Sequence, residues 1–362
     1  MSIKDYKKYT PENFIGKTPK ELGYFFPAEF TTHKATWLSW PHKELSWPGK
    51  IEKIYLPYAK FIAELTKGEL VNINVVSVEM KEFALTYIKK TTANLDKINF
   101  YIHPTNDAWC RDHGPAFLIN PGAVKYKKAI VNWEYNAWGN KYPPYDLDNQ
   151  IPLCIAKENR LPVFSPGIIM EGGAVEFNGK GTVLTSKSCL LNKNRNPKLS
   201  QSEIEKYLKD YYGVEQVLWI EEGIIGDDTD GHIDDTVRFI NEDTVLTVVE
   251  ANPEDENYNI LQNNLSQLKR MKLLNGKSLK VIELPMPEPV FYQGERLPAS
   301  YANFYIANTS VIVPIYNCEN DTIALEIIQE HFPDRKVIGI DSTDIIWGLG
   351  SFHCLSQQEP AI

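Results

Sequence analysis

Residues 226–235 read GDDTDGHIDD, a single histidine set in acid. Such a run has several chemical readings: a calcium loop, a zinc site, a solvated turn, or the acid/base half of an active site. A calcium loop of the EF-hand kind requires acid at positions 1, 3 and 5, glycine at 6 and glutamate at 12. With Gly231 at position 6, Gly226 falls at position 1 and Val237 at position 12, so both ends fail. Zinc requires several His or Cys at ligand spacing. The run offers one histidine, and no HExxH occurs in the chain. A solvated acidic turn stays open, because charge runs usually face water. In the catalytic reading His232 and Asp234 are two residues apart, so an extended segment would aim both at one face. One could act as acid/base while the other holds a cationic substrate.

Other polar motifs occupy comparable places. WCRDHGP (109–115) precedes AFLI, MEGG (170–173) precedes AVEF, DGHIDD (230–235) precedes TVRF, and PASYAN (298–303) precedes FYI. GLGSFHCLSQQ (348–358) lies near the C-terminus and carries Cys354. If the elements repeat around an axis, these motifs converge at one end of the molecule. Asp112 and Glu171 then join His232, Asp234 and Cys354 around one pocket. Carboxylates gathered without a metal suit a guanidinium, whose N–H fork pairs with them in bidentate fashion.

The elements that must position these residues show a weak repeat. AVEFNGKGTVLT (174–185) is a pair of alternating strands around a turn, a hairpin signal. TVRFINEDTVLTVV (236–249) and NFYIANTSVIVP (303–314) repeat it. Helical stretches follow at 200–213, 256–272 and 320–332, then strands at 215–220, 279–284 and 336–341. ATWLSW (35–40), a helix near 51–67 and LVNINVV (70–76) form a less regular copy. PAFLI (115–119) and AIVNWEY (129–135) supply the hairpin of one more. A radial array and an ordinary α/β sheet both fit this alternation.

The 362 residues are 43% hydrophobic and 23% charged, enough for a full core. A net charge of −9 argues against a nucleic-acid partner, which requires a basic face. MSIKDYKKYTPENF has no apolar signal-peptide core, and no stretch approaches the roughly 18 apolar residues of a membrane span. The five cysteines are scattered without a CxxC pair, which points to a reduced, cytoplasmic chain and away from a cysteine cluster for zinc.

NDAWCRDHGP (106–115), EGGAVEFNGKGTVLT (171–185), LLNKNRNP (190–197), DDTDGHIDD (227–235), PASYANFYIAN (298–308) and HCLSQQEP (353–360) together resemble the agmatine deiminase family, which also carries the name of the bacterial peptidylarginine deiminases. FFPAEFTTHKATWLSWP extends the resemblance back to about residue 24. It implies a pentein α/β-propeller: five ββαβ units around a pseudo-fivefold axis, one catalytic domain over 1–362 with 1–23 an N-terminal extension. It implies hydrolysis of agmatine to N-carbamoylputrescine and ammonia, a step of putrescine biosynthesis, through a covalent cysteine intermediate and without cofactor or metal. Carried over, Cys354 is the nucleophile, His232 the acid/base, Asp112 and Asp234 the carboxylates that grip the guanidinium. Glu171 orients the histidine and Trp109 is the pocket tryptophan. Gly172, of the EGG motif, is expected at the substrate.

Each residue has a bland rival. Cys354 could be a small buried hydrophobe, Asp112 a partner of Arg111, Glu171 a turn acid, Trp109 core. Asp227, Asp230 and Asp235 are expected to be turn and surface acids. The chain also departs from the family: GLGSFHC stands where Gly-Gly-Gly-Asn often precedes the HC pair, so Leu349 and Ser351 replace a glycine and the asparagine. Asp228 replaces a frequent glutamate and is the expected reader of the distal amine. Free arginine would require a cation for its carboxylate, and Arg195 or Arg238 is available. Peptidyl-arginine, amidino transfer and a binding protein without catalysis are the remaining rivals. A homo-oligomer is compatible with the sequence, which does not give the oligomeric state.

Overall fold

Short alternating strands around Asn-rich turns build five small sheets of one pattern in this computed structural model, which describes Pro11 and residues 14–362. The first sheet pairs β1 (His33–Ser39), β2 (Leu70–Val75) and β3 (Ile98–Ile102) in parallel. The helix between β1 and β2, Ile51–Leu65, buries Ile54, Tyr58, Phe61, Ile62 and Leu65, a stripe of helical period. The second sheet is β4 (Ala116–Ile119), β5 (Lys128–Val131) and β6 (Val163–Phe164). The third is β7 (Val175–Phe177), β8 (Thr182–Ser186) and β9 (Gln216–Ile220). The fourth is β10 (Val237–Phe239), β11 (Thr244–Val249) and β12 (Lys280–Pro285). A separate hairpin of β13 (Phe291–Tyr292) and β14 (Glu295–Arg296) follows. The fifth sheet is β15 (Tyr305–Ile306), β16 (Ser310–Ile315) and β17 (Lys336–Asp341).

In sheets two to five an antiparallel hairpin leads through a helix to a parallel third strand. The helices are Ile151–Asn159, Gln201–Tyr212, Asn257–Leu268 and Asn320–His331. Local chemistry sets their ends. Ser200 and Glu203 form a capping box at the start of Gln201–Tyr212, and Gly213, at φ 68°, ends it in the left-handed region.

The first sheet obeys the same pattern only because the C-terminus completes it. β18 (Ser356–Pro360) pairs antiparallel with β1, from His33 opposite Pro360 to Leu38 opposite Ser356. The last strand thus supplies the missing hairpin arm of the first unit. The sequence SQQEP shows no apolar alternation, yet all five residues are buried. Its burial is polar: Gln358 accepts from Arg111 at 2.6 Å, and Glu359 accepts from the Trp37 indole at 2.9 Å.

Of the expected extension 1–23, residues 1–10, 12 and 13 lie outside the described residues. Phe14 is buried, stacked on Phe164 at 5.4 Å, so this part of the segment packs on the second and third sheets. Among the described residues no helix is long and apolar enough to cross a membrane.

Candidate active site

The five polar motifs occupy one structural position. Each is the connection that enters the antiparallel arm of a sheet: residues 109–115 before β4, 170–174 before β7, 230–236 before β10, 298–304 before β15 and 348–355 before β18. Three of them make a single helical turn there, at Cys110–His113, Gly172–Ala174 and Ile233–Asp235. The DGHIDD segment is therefore not extended. His232 and Asp234 both reach the site through a tight turn, not through strand alternation.

Cys354 sits at the centre, 6% exposed, at the floor of a cavity of about 520 Å³ that Trp109, Asp112 and Asp228 also line. Its Sγ lies 3.5 Å from Asp234 Oδ2. Asn303 donates its side-chain amide to Sγ at 3.0 Å and accepts the Cys354 backbone N–H at 3.3 Å. Burial pushes the thiol well up, and Asp234, Asp235 and Asp112 push it further. The neighbouring protein groups thus hold the neutral thiol, and a bound cation is what would favour the thiolate.

Asp112 accepts the backbone N–H of Gly173 at 2.9 Å and the Trp138 indole at 3.0 Å. Burial raises its carboxyl to about 6. Arg111 beside it pairs instead with Glu29 at 2.9 Å. Asp234 Oδ2 receives His353 Nδ1 at 2.6 Å, while Oδ1 has no partner although buried. Burial raises the Asp234 carboxyl, and its bond to His353 outweighs this and holds it below the usual range. One carboxylate face is therefore anchored and the other is unused.

His232 is fully buried, and neither ring nitrogen has a hydrogen-bond partner. Nδ1 lies 3.8 Å from Asp112 and Nε2 3.8 Å from Glu171. Burial opposes its protonation, but Asp112, Cys189 and Glu171 win and raise it well above the ordinary histidine range. Burial raises Glu171 as well, and Arg195, at 3.0 Å, wins and lowers it.

Several expectations need correction. Gly172 does not line the cavity; a Cβ there would meet the Arg111 carbonyl at 2.2 Å, so it is a close-packing glycine. Gly173 is the one at the site, where a Cβ would lie 2.5 Å from His232 Nδ1. Asp235 is no surface acid: it is 2% exposed and accepts from Asn303 at 2.8 Å. Asp230 is bound by Arg195, Lys141 and Asn194. Asp227 does work as a turn acid, accepting the Thr229 and His232 backbone N–H groups at 2.8 Å. Arg195 and Arg238 are not free to take a substrate carboxylate. Both side chains are fully buried in pairs, Arg195 with Glu171 and Asp230, Arg238 with Glu29 and Glu176. Cys110 faces the core with Trp37 and Phe117, away from the cavity.

Four residues were missed by sequence reasoning. Asn303 was quoted only as part of PASYAN; its place before a strand was the available signal. His353 adjoins Cys354 and bridges Asp234 to Glu29, the latter at 2.9 Å from Nε2. Glu29 itself lay inside the FFPAEF motif without a role. Trp138 is held at φ 54°, within a left-handed turn from Ala137 to Asn140 that no residue pattern announced.

Trp109 stacks on Trp47 with centroids 5.2 Å apart. Gly348 and Gly350 let the loop lie flat on this pair; a Cβ would meet Trp109 at 2.8 and 2.7 Å respectively. Between them Leu349 adopts φ 70°, a conformation that favours glycine. At the cavity mouth Asp228 accepts from the Tyr142 hydroxyl, and the hairpin β13–β14 stands opposite with Tyr292 against Trp347 at 3.7 Å. Every cation at the cavity among the described residues is paired: Lys43 with Asp107, Lys141 with Asp230, Arg296 with Asp255.

A family described as Porphyromonas-type peptidyl-arginine deiminase matches residues 25–360. A putative agmatine deiminase of Legionella pneumophila (strain Paris) is 38% identical over 348 residues, covering 96% of this chain and 98% of that one. The structure of an agmatine deiminase of Enterococcus faecalis superposes with a TM-score of 0.88 at 32% identity, covering 96% and 98% of the two chains. A cysteine-to-serine variant of C. jejuni agmatine deiminase with substrate bound superposes with a TM-score of 0.84 at 34% identity, covering 93% and 96%.

Proposed function

The chain belongs to the Porphyromonas-type peptidyl-arginine deiminase family, and from that premise we propose that it is an agmatine deiminase, releasing ammonia from agmatine to leave N-carbamoylputrescine. The observation that carries the reading is the cavity's charge. Asp112 and Asp228 line a cavity at which each described lysine and arginine is already paired, and Asp234, with one oxygen unused, lies directly behind Cys354. Such a cavity accepts a cation at both ends and offers no partner to a carboxylate. Agmatine has this shape; free arginine does not.

Five ββαβ units close around a pseudo-fivefold axis as one catalytic domain, and the axis brings the five entry turns together. Asp112 and Asp234 hold the guanidinium flat against Sγ. Fixing both reactants makes the attack effectively unimolecular, an advantage that can reach roughly 7–11 kcal/mol. The bound cation offsets the carboxylates that keep Cys354 protonated. The thiolate then attacks the guanidinium carbon. His232, held protonated by its acidic neighbours, gives a proton to the departing nitrogen, and ammonia leaves. The remaining planar S-alkylthiouronium is hydrolysed when His232 takes a proton from water and hydroxide adds to the same carbon. Collapse expels Cys354 as thiolate and frees the urea product. Trp109 lies where it can close over the cation, a contact worth about 0.5–2 kcal/mol.

The cavity is wider than a four-carbon chain requires, which makes an arginyl peptide the second reading. Ammonia release from agmatine, arginine and a blocked arginyl peptide separates the two. Agmatine should give the highest kcat/KM, and Cys354→Ala should abolish turnover. Turnover that survives Cys354→Ala rejects the mechanism; a peptide preferred over agmatine rejects only the substrate.

A further inference from the structure

Behind the cavity, the acid/base histidine shares its surroundings with a cysteine that the proposed reaction does not use. Cys189 ends the third unit's hairpin, in the single turn Lys187–Leu190 that follows β8, and is fully buried. Its Sγ lies 4.0 Å from Glu171 Oε2, and His232 Nε2 lies 3.8 Å from that same oxygen. The three donor atoms all lie within 4.8 Å of one another. His232 Nε2 is buried and without a hydrogen-bond partner.

We propose that Glu171, Cys189 and His232 form an inhibitory binding site for a thiophilic divalent cation such as zinc. One imidazole nitrogen, one thiolate and one carboxylate are a donor set that zinc takes in tetrahedral geometry, with a fourth position left for water. Bonds of about 2.0–2.3 Å set ligand atoms roughly 3.3–3.8 Å apart in such a shell. The present separations run from 3.8 Å to no more than 4.8 Å, so the side chains must close by about half an ångström to somewhat over one. The surroundings supply the outer contacts such sites use. Asp112 lies 3.8 Å from the other ring nitrogen of His232, near enough to complete a carboxylate–histidine–metal arrangement once it closes to hydrogen-bonding distance. Arg195 holds Glu171 from behind at 3.0 Å. The charges also balance locally: a thiolate and a carboxylate offset a divalent ion, and Asp230 offsets Arg195. The ion displaces the Cys189 and His232 protons to solvent; nothing is oxidised or reduced.

The consequence rests on the deiminase reading. A histidine whose Nε2 is bound to metal cannot deliver or accept the proton there, so the ion stops the reaction without touching Cys354. Zinc could compete at Cys354 instead, since Asp234, Asp235 and Cys354 also lie close together. The test therefore starts from full-length Cys354→Ala titrated with cobalt(II), whose thiolate charge-transfer absorption reports a Cys ligand whether or not the protein turns over any substrate. The band should form in Cys354→Ala and compete with zinc. It should vanish when Cys189→Val is added, with Cys189→Ala as the second variant if valine does not fold. In the otherwise unchanged enzyme, Cys189→Val should lose at least about tenfold in zinc sensitivity, measured against its own metal-free rate, the scale expected on removing a metal contact. A band that is absent from Cys354→Ala, or one that persists without Cys189, overturns the site. Unchanged zinc sensitivity of Cys189→Val overturns the inhibitory role. If agmatine is not turned over but the band depends on Cys189, the site stands and the substrate reading fails.

Discussion

Asp234 and Asp235 are adjacent, equally buried and opposite in state. Asp234 faces His353 and is held ionised; Asp235 has only neutral Asn303 as donor beside two further aspartates, and burial raises it well above the usual range. Asp235→Asn replaces a neutral acid by a neutral amide and should keep kcat/KM within about threefold, whereas Asp234→Asn should lose at least about a hundredfold, the scale of a charge-stabilising contact. The same shift sets a stability signature. A carboxyl raised on folding contributes most below its unfolded value and loses that contribution as pH rises towards the folded one. Asn carries no such dependence, so the variant should gain on the parent as pH rises above about 4, by at most about 1.4 kcal/mol per unit. Urea midpoints across that range decide it; a flat difference means that Asp235 is ionised in the fold. Asp112 gives a second readout. Its carboxyl, raised to about 6 by burial, must be ionised to hold a guanidinium. The profile of kcat/KM, which reports the free enzyme, should therefore fall as pH drops through about 6. A profile flat to pH 5 means that Asp112 does not titrate there.

At the scale of elements, the entry turns carry the site, and they were the least legible part of the chain. Strands β7, β8, β10, β11, β16 and β17 announced themselves by alternation, and the helices by an apolar stripe of period 3.6. β18 did not, because its buried partners are Arg111, Trp37 and two lysines in place of apolar side chains. The helices Val78–Ile88 and Ile151–Asn159, β3 and β6 were missed too; Val78–Ile88 buries only Ala84 and Ile88 and so leaves a faint stripe. The position of the polar motifs before strands was readable, and it located Asn303's segment before any role was known for it. The side-chain directions were not readable, because a one-turn helix destroys the two-residue alternation assumed for His232 and Asp234. Close approach at these turns makes a sharp prediction. A methyl group at Gly173 would lie 2.5 Å from His232 and 2.9 Å from Asp112. Gly173→Ala must therefore displace His232 or Asp112, and on the proposed mechanism kcat should fall at least about a hundredfold. Gly172→Ala meets backbone instead, so it should be felt first in stability. Thermal melting beside turnover for both variants checks this; an active Gly173→Ala enzyme means that the turn relaxes.

The whole molecule is closed by a carboxylate that comes before its first strand. Glu29 receives Arg238 at 2.8 Å and the Ile306 N–H at 2.9 Å on one oxygen, and Arg111 and His353 at 2.9 Å on the other. These donors come from the turn before β4, from the fourth and fifth sheets and from the turn before β18. One side chain thus ties segments of several sheets together and, through His353, steadies Asp234. Burial opposes its charge, but Arg238, His353 and Arg111 win and hold it well below the ordinary carboxylate range. Glu29→Gln keeps the shape and removes the charge, leaving two buried guanidinium groups facing an amide that can accept on one atom only. Breaking a buried pair in this way costs about 3–5 kcal/mol. A carboxylate depressed on folding contributes above its unfolded value and loses that contribution as pH falls through the folded one. The gap between parent and variant should therefore be full at pH 7 and narrow in strong acid. Because His353 loses its outer anchor, kcat should fall more than KM rises. A urea midpoint at pH 7 within the range of a surface substitution would show that the sheets hold together without Glu29.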